Sequence, residues 1–289
     1  MINTEGDGLP GLVADRYGDD WVLQITTAAM AARQAAIIDC LSGHVRGRLF
    51  VLHPPAIAAR EGFAAAPILP DAGDGEPPPL EFLEHGLRFR VPAPPSQKTG
   101  AYFDQRDNRR LVAELAARRG GALLDLGCHV GGFAIHAAAA GVEAVGLDQS
   151  AAMLALAAAN AERCGVASRT SWVRGDLFGP LDDPALERRF ATIVVDPPKI
   201  ASSRRDLGRA IKAQRACLRR VAARLEDDGL LVVCSCSHHL GREQLDESLP
   251  REPGEQWRRL YALGPGPDHP VLAGHAEGEY LRVNVYQRC

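Results

Sequence analysis

From about Asp107 to Cys234, short apolar runs alternate with helical patterns, and several of these runs close on a carboxylate or a thiol. That alternation predicts a parallel α/β sheet with helices as crossovers. The spacing places strands at 122–126, 144–147, 171–173, 192–195 and 230–234, and helices at 107–118, 132–140, 151–164 and 206–225. Beyond them, Leu260-Tyr-Ala-Leu and Tyr280-Leu-Arg-Val-Asn-Val-Tyr read as strands with no helix between. An antiparallel hairpin at the sheet edge is expected there. The fold class is α/β, preceded by a small α+β domain.

That first domain covers residues 1–93. Gly11-Leu-Val-Ala-Asp-Arg-Tyr and Trp21-Val-Leu-Gln-Ile-Thr-Thr read as strands around a Gly18-Asp-Asp turn. Residues 28–41 form an Ala-rich helical pattern whose apolar face is Met30, Ile37, Ile38 and Leu41. Arg48-Leu-Phe-Val-Leu and Leu87-Arg-Phe-Arg-Val are further strands, and the Pro- and Gly-dense 67–79 is a loop. Pro92-Ala-Pro-Pro-Ser reads as a linker into the second domain, 94–289.

The net charge is −3, so there is no overall cation field to draw in nucleic acid. RNA contact would need a local patch. Residues 204–224 hold eight basic residues and one acid, Asp206. They read either as a phosphate contact or as a solvated helix face above Leu207, Ile211, Leu218, Val221 and Leu225. The seven cysteines are scattered and form no Cys-x-x-Cys pair. That argues against a disulfide framework or a zinc knuckle, so no metal is expected, and for reduced thiols in the cytoplasm. Met1-Ile-Asn-Thr-Glu-Gly-Asp does not read as a signal peptide. The most apolar long stretch, 122–147, contains Asp125, His129, His136 and Glu143, so no membrane partner is expected.

Leu123-Leu-Asp125-Leu-Gly127-Cys-His-Val-Gly131-Gly132-Phe133 is a strand, a glycine turn and a helix start. The spacing of Gly127 and Gly131 does not fit the dinucleotide pattern Gly-x-Gly-x-x-Gly, which disfavours a dehydrogenase. Asp148, followed by Gln149, ends the next strand, where a carboxylate can accept from ribose hydroxyls or cap a helix. Asp176, followed by Leu177, ends the third, where a carboxylate can meet the adenine amine. Asp196 ends the fourth, in Val194-Val-Asp-Pro-Pro-Lys199, with two prolines stiffening the loop. Four strand ends in this order predict an S-adenosylmethionine site. The fifth strand runs Leu230-Leu-Val-Val-Cys234-Ser-Cys236-Ser237-His238-His239. Ligands bind outside the carboxyl ends of such strands, so a thiol there is either a nucleophile or a small packed hydrophobe.

Several segments resemble the bacterial cytosine-5 methyltransferases of large-subunit ribosomal RNA, in the class I S-adenosylmethionine-dependent superfamily. They are Asn3-Thr-Glu-Gly-Asp-Gly-Leu-Pro-Gly-Leu-Val-Ala-Asp-Arg-Tyr-Gly18, the linker motif Lys98-Thr-Gly-Ala-Tyr-Phe-Asp104-Gln105-Arg106-Asp-Asn-Arg109, Val195-Asp-Pro-Pro-Lys199, Ser235-Cys236-Ser237 and Asp268-His269-Pro270-Val271. The resemblance implies a Rossmann-like catalytic domain from about residue 96, with Cys236 as catalytic thiol. It also implies Gln105 and Arg109 near the methionine end of S-adenosyl-L-methionine, ribosomal RNA as partner, and a homodimer.

Asp196 would hold the cytosine edge, and Lys199 would contact phosphate or developing charge. Three departures stand out. The chain opens on the central-domain motif where the family usually has a PUA domain. The turn reads Gly127-Cys-His-Val-Gly-Gly-Phe133, and Ile200 replaces an aromatic after the Asp-Pro-Pro-Lys run. A methyltransferase for another base or a small molecule, or a non-catalytic RNA-binding protein, stays open as an alternative.

Overall fold

Leu123, Leu124, Ile193, Val194, Leu231 and Val233 are buried, so their strands take the middle of a sheet covered on both faces. The computed structural model describes residues 1–71, 77–95, 99–201, 204–251 and 256–289. Residues 72–76 of the expected loop, Ser96 of the linker, Lys98 of the linker motif and the side chain of Arg204 lie outside the described residues. The chain divides into two compact units. One comprises Met1–Asp104 with Gly266–Gly278, the other Gln105–Pro265 with Glu279–Cys289.

In the first unit, β1 (Ile2–Asn3), β2 (Leu12–Tyr17) and β3 (Asp20–Ile25) pair antiparallel, and helices α1 (Ala28–Ala31) and α2 (Gln34–Leu41) follow. The expected single helix 28–41 is broken where Arg33, at φ −108 and ψ 8, leaves helical geometry. Met30, Ile37, Ile38 and Leu41 still pack on Leu12, Trp21, Leu23 and Val51, because the break preserves the apolar side. Strand β4 (Leu49–Leu52) pairs parallel to β3. Helix α3 (Pro55–Glu61) and the hairpin β5 (Leu80–Glu84) and β6 (Leu87–Val91) complete the unit; α3 and β5 were not anticipated.

Three of the sequence motifs meet inside this unit. Thr99 Oγ1 donates to the buried Asp15 carboxylate. The Tyr17 hydroxyl donates to the Thr99 carbonyl (2.9 Å) and accepts from the Ala101 amide (2.7 Å). Gly266 N donates to the Asp104 carbonyl (3.2 Å), and the His269 ring sits 3.3 Å from the Asp268 carboxylate. Burial pushes Asp15 up from its ordinary value. For His269 burial works against the charge, but Asp268, Asp104 and Asp15 win and raise its proton affinity.

The second unit opens with α4 (Arg106–Arg119), then β7 (Leu123–Leu126), α5 (Gly132–Ala139), β8 (Ala144–Asp148), α6 (Ala151–Arg163) and β9 (Thr170–Arg174). It continues through β10 (Phe190–Val195), α7 (Leu207–Ala222), β11 (Leu225–Ser235), α8 (Arg242–Glu247), β12 (Trp257–Leu263) and β13 (Arg282–Arg288). The sheet order is β12-β13-β11-β10-β7-β8-β9. β11, β10, β7, β8 and β9 are mutually parallel, and β13 and β12 add the expected antiparallel hairpin.

Helix α7 stops short of the expected 225 because Leu225 already pairs with Phe190. One sheet face packs Leu124, Ile193 and Leu231 under Leu218 and Val221 of α7. The other packs Leu123, Val194 and Val232 under Val112 of α4 and Phe133 of α5. Among the described residues, no helix is long and apolar enough to cross a membrane.

Candidate cofactor site and thiol turn

The carboxyl ends of β7, β8, β10 and β11 place the predicted polar residues at one edge of the sheet. Gly127 turns the chain after β7 at φ +84, and a Cβ there would strike the Asp196 carbonyl. Gly131, at φ +87, has the Trp172 ring against it; a Cβ would lie 2.6 Å from it. Both positions need glycine for φ and for close approach. A Cβ on Gly132 would meet the Arg109 side chain at 2.7 Å, so Arg109 lies across the start of α5. Phe133 faces inward and belongs to the apolar layer with Leu123 and Val194.

Asp125 is fully buried, and its Oδ2 accepts from the Ala134 amide of α5 (3.1 Å). Its Oδ1 is buried with no hydrogen-bond partner. Desolvation dominates its ionisation, and with repulsion from Asp196 and Asp148 it pushes the carboxyl up to about 7. A buried acceptor left open costs free energy unless something fills it. The amino acid end of S-adenosylmethionine offers N–H donors and positive charge, so the open acceptor and the glycine turn fit that group.

Asp148 Oδ2 accepts from the His129 amide (3.0 Å) and Oδ1 from the Ser150 amide (2.9 Å). Each oxygen keeps a lone pair for a ribose hydroxyl. Ser150, rather than Asp148, caps α6, accepting from the Met153 amide. Gln149 is exposed and offers its carbonyl to Arg174 Nε (3.3 Å). Asp176 is exposed, and its Oδ1 accepts from the Phe178 amide (2.9 Å) in a local turn. Leu177 is buried and packs beside Gly127.

Gln105 is buried at the entry to α4, and its Nε2 donates to Asp196 Oδ2 (3.3 Å). Asn108 donates to Gln105 Oε1 (2.8 Å) and to the Gly264 carbonyl (3.0 Å), which fixes the direction of the Gln105 amide. Asn108 lies inside the linker motif, which by itself assigns it no role. Its signal was its place one turn after Gln105 on a helix. Asp196 is half-buried, with its amide on the Leu126 carbonyl (2.9 Å); Lys199 is exposed, and Ile200 packs on the core.

The two thiols differ sharply. Cys234 is fully buried, and burial pushes it well above the ordinary thiol range, with Asp196 adding to the effect and the Gln105 side chain opposing it. Cys236 is half-buried, just past the end of β11. Ser235 pairs with Arg282 in the ladder, and Ser237 Oγ donates to the Ala201 carbonyl (2.8 Å). Arg282 Nη1 donates to the Ser237 carbonyl (3.3 Å). The turn carrying Cys236 is therefore pinned to the loop that begins at Asp196. Among the described residues, no group of three His, Cys, Asp or Glu could hold a metal ion.

Comparison with known proteins defines the family. A family described as S-adenosylmethionine-dependent methyltransferase matches residues 72–274. A ribosomal RNA large subunit methyltransferase of Deinococcus radiodurans is 33% identical, covering 99% of this chain and 71% of its own length. A ribosomal RNA large subunit methyltransferase I of Erwinia tasmaniensis is 29% identical over 98% of this chain and 72% of its own. A crystal structure complexed with SAH superposes with a TM-score of 0.81 at 18% identity, covering 99% of this chain and 74% of that one. At that identity the likeness speaks for the Rossmann-like fold.

The matches correct the placement among the cytosine-5 methyltransferases. The relatives are large subunit methyltransferases of the I type, a different family. A strand-end thiol and an Asp-Pro-Pro-Lys loop are placements that a shared sheet permits, so they did not fix the family. The chain belongs to the S-adenosylmethionine-dependent methyltransferase family, together with the ribosomal RNA large subunit methyltransferases it matches.

Proposed function

We propose that this chain methylates large-subunit ribosomal RNA at cytosine C5, with Cys236 as the nucleophile. The names of the relatives, matched along nearly the whole chain, supply the RNA class. The observation that carries the chemistry is the pinned turn: Cys236 is half-buried between Ser235 and Ser237, and Ser237 ties it to the Asp196 loop.

Asp125, Asp148, Gln105 and Arg109, with the Gly127–Gly131 turn, would hold the cofactor. S-adenosylmethionine, when bound, would supply a methyl group on a positively charged sulfur, which takes the S–CH3 electron pair and leaves as a neutral thioether. Cytosine C5 is a poor nucleophile. Addition of the Cys236 thiolate forms an S–C6 bond and makes C5 electron-rich, which divides one hard step into easier ones. Once C5 carries the methyl, a base removes the C5 proton, the C6–S bond breaks and the thiolate is released.

Asp196, oriented by Gln105, would accept from the cytosine amino edge, and exposed Lys199 would meet phosphate. The proton acceptor would be His238, His239 or water. Cys234, fully buried in the apolar layer with Val232 and Leu281, would serve packing. A base stacked in folded RNA would have to swing out to reach this turn.

The test compares ribosomal RNA nucleosides by mass spectrometry, with and without the gene. Loss of one 5-methylcytidine is expected; loss of a different methylated base overturns the cytosine assignment. Cys236→Ala is expected to abolish methyl incorporation into RNA while calorimetric cofactor affinity stays unchanged. Full activity in that variant removes the thiol from the mechanism.

A further inference from the structure

Helix α7 starts just beyond the Asp196 loop, at the sheet edge that carries the site, and the basic residues on and beside it fall into two sets. Arg220 Nη2 donates to the Phe178 carbonyl (2.6 Å) and Arg224 Nη2 to the Leu181 carbonyl (3.2 Å); both are half-buried and anchor the helix. Arg205, Arg209, Lys212, Arg215 and Arg219 are exposed. Arg209, Lys212, Arg215 and Arg219 follow at steps of three or four residues on α7, and Arg205 lies in the turn just before it, so they form one stripe. At 1.5 Å per residue its part on α7, from Arg209 to Arg219, is about 15 Å long.

Local physics disfavours this arrangement. Each neighbouring pair in the stripe sets like charges three or four residues apart, which destabilises a helix. Arg205 and Arg209 also lie in or just before the first turn, where the helix dipole disfavours cations. Asp206 pairs with Arg209 (2.8 Å). Arg215 reaches the Glu247 carbonyl (3.2 Å) rather than a carboxylate. The stripe sits in a chain of net charge −3, so it is a local concentration and not a general surplus.

We infer that the exposed stripe of α7 binds the phosphate backbone of the substrate RNA and leads it toward the Asp196–Cys236 edge. The inference rests on the RNA reading above and adds the surface that recognises it. A row of cations set by helical spacing fits a line of phosphates, and neutralising them relieves the repulsion along the stripe.

The test measures affinity for a large-subunit ribosomal RNA fragment against salt. The triple variant Arg205→Ala, Arg209→Ala, Lys212→Ala is expected to flatten the slope of log K against log salt by about 2, at roughly 0.7 per lost contact to single-stranded phosphate. Cofactor affinity by calorimetry should not change. The double variant Arg205→Lys, Arg209→Lys should keep the wild-type slope, because the charge is retained. An unchanged slope in the alanine variant, with wild-type RNA binding intact, overturns the stripe and leaves the RNA reading standing. Absence of RNA binding in the wild type overturns both. An unchanged RNA slope with lost binding to phosphatidylserine vesicles assigns the stripe to membranes and overturns the inference.

Discussion

Two carboxylate clusters, one in each unit, are built from similar parts and differ in what faces them. In the first unit, Asp15 takes the Thr99 hydroxyl, and Asp268 sits on a His269 ring whose proton affinity is raised. Burial still raises Asp15, but this cluster carries a cationic partner of its own in His269. In the second unit, Asp125 takes one backbone amide and leaves its other oxygen buried and open, beside Arg109 and the glycine turn. A buried charge that finds its counter-charge within the fold serves architecture, while one left partly unanswered is poised for a ligand. Both clusters come from motifs that look equally functional as strings of letters.

The sharpest way to break this contrast is to remove the counter-charge. His269→Ala should destabilise the protein by about 1–3 kcal/mol, below the range for a fully buried pair because both partners keep some exposure, with cofactor affinity per folded molecule unchanged. Urea unfolding and calorimetry check both halves; a loss of cofactor affinity without destabilisation would erase the distinction. In the other cluster, Asp125→Asn should act through pH. Burial raises Asp125 from 3.8 to about 7, so its folded form favours the proton. Its contribution to stability is complete below pH 4 and is lost as pH rises through about 7, at about 1.36 kcal/mol per pH unit between those values. The Asn variant should flatten that window in denaturation of the cofactor-free protein.

For His269, also raised, the contribution is complete below its ordinary 6.5 and is lost as pH climbs above it. Asp15, raised like Asp125, loses its contribution as pH rises above 3.8, so the two clusters share the acid window and His269 adds a later one in the first unit. Tyr17→Phe leaves the Ala101 amide and the Thr99 carbonyl without the hydroxyl and should cost about 1–3 kcal/mol. Asp148→Ala should weaken cofactor binding about tenfold, or about 1.4 kcal/mol, by calorimetry. As a floor, Arg189→Ala breaks an exposed ion pair with Asp227 and should change stability by less than about 1 kcal/mol.

The sheet was legible because each strand is a local apolar run and each helix a local periodicity. Asp125, Asp148 and Asp196 could be assigned to strand ends for the same reason. Asn108 could not be given its role, because fixing the Gln105 amide also involves Gly264, a carbonyl 156 positions away. The two thiols of Cys234-Ser-Cys236 differ because the strand ends at Ser235: one sulfur stays under the sheet and the other clears it. The helix 28–41 and the missing β5 show the limit of local reading within the first unit. Leu80–Glu84 gains its strand identity by pairing with β6, and Arg33 leaves helical geometry in a run of helix formers.

By itself the sequence determined the α/β order, the glycine turn and the row of acidic strand ends, since these depend on residues adjacent in the chain. Tertiary structure alone decided that Gly266–Gly278 returns to the first unit, that Thr99 closes on Asp15 eighty-four positions away, and that the Asp125 oxygen stays open. Burial and hydrogen bonding between distant segments set which polar groups are answered and which are left for a ligand, and no local periodicity encodes them.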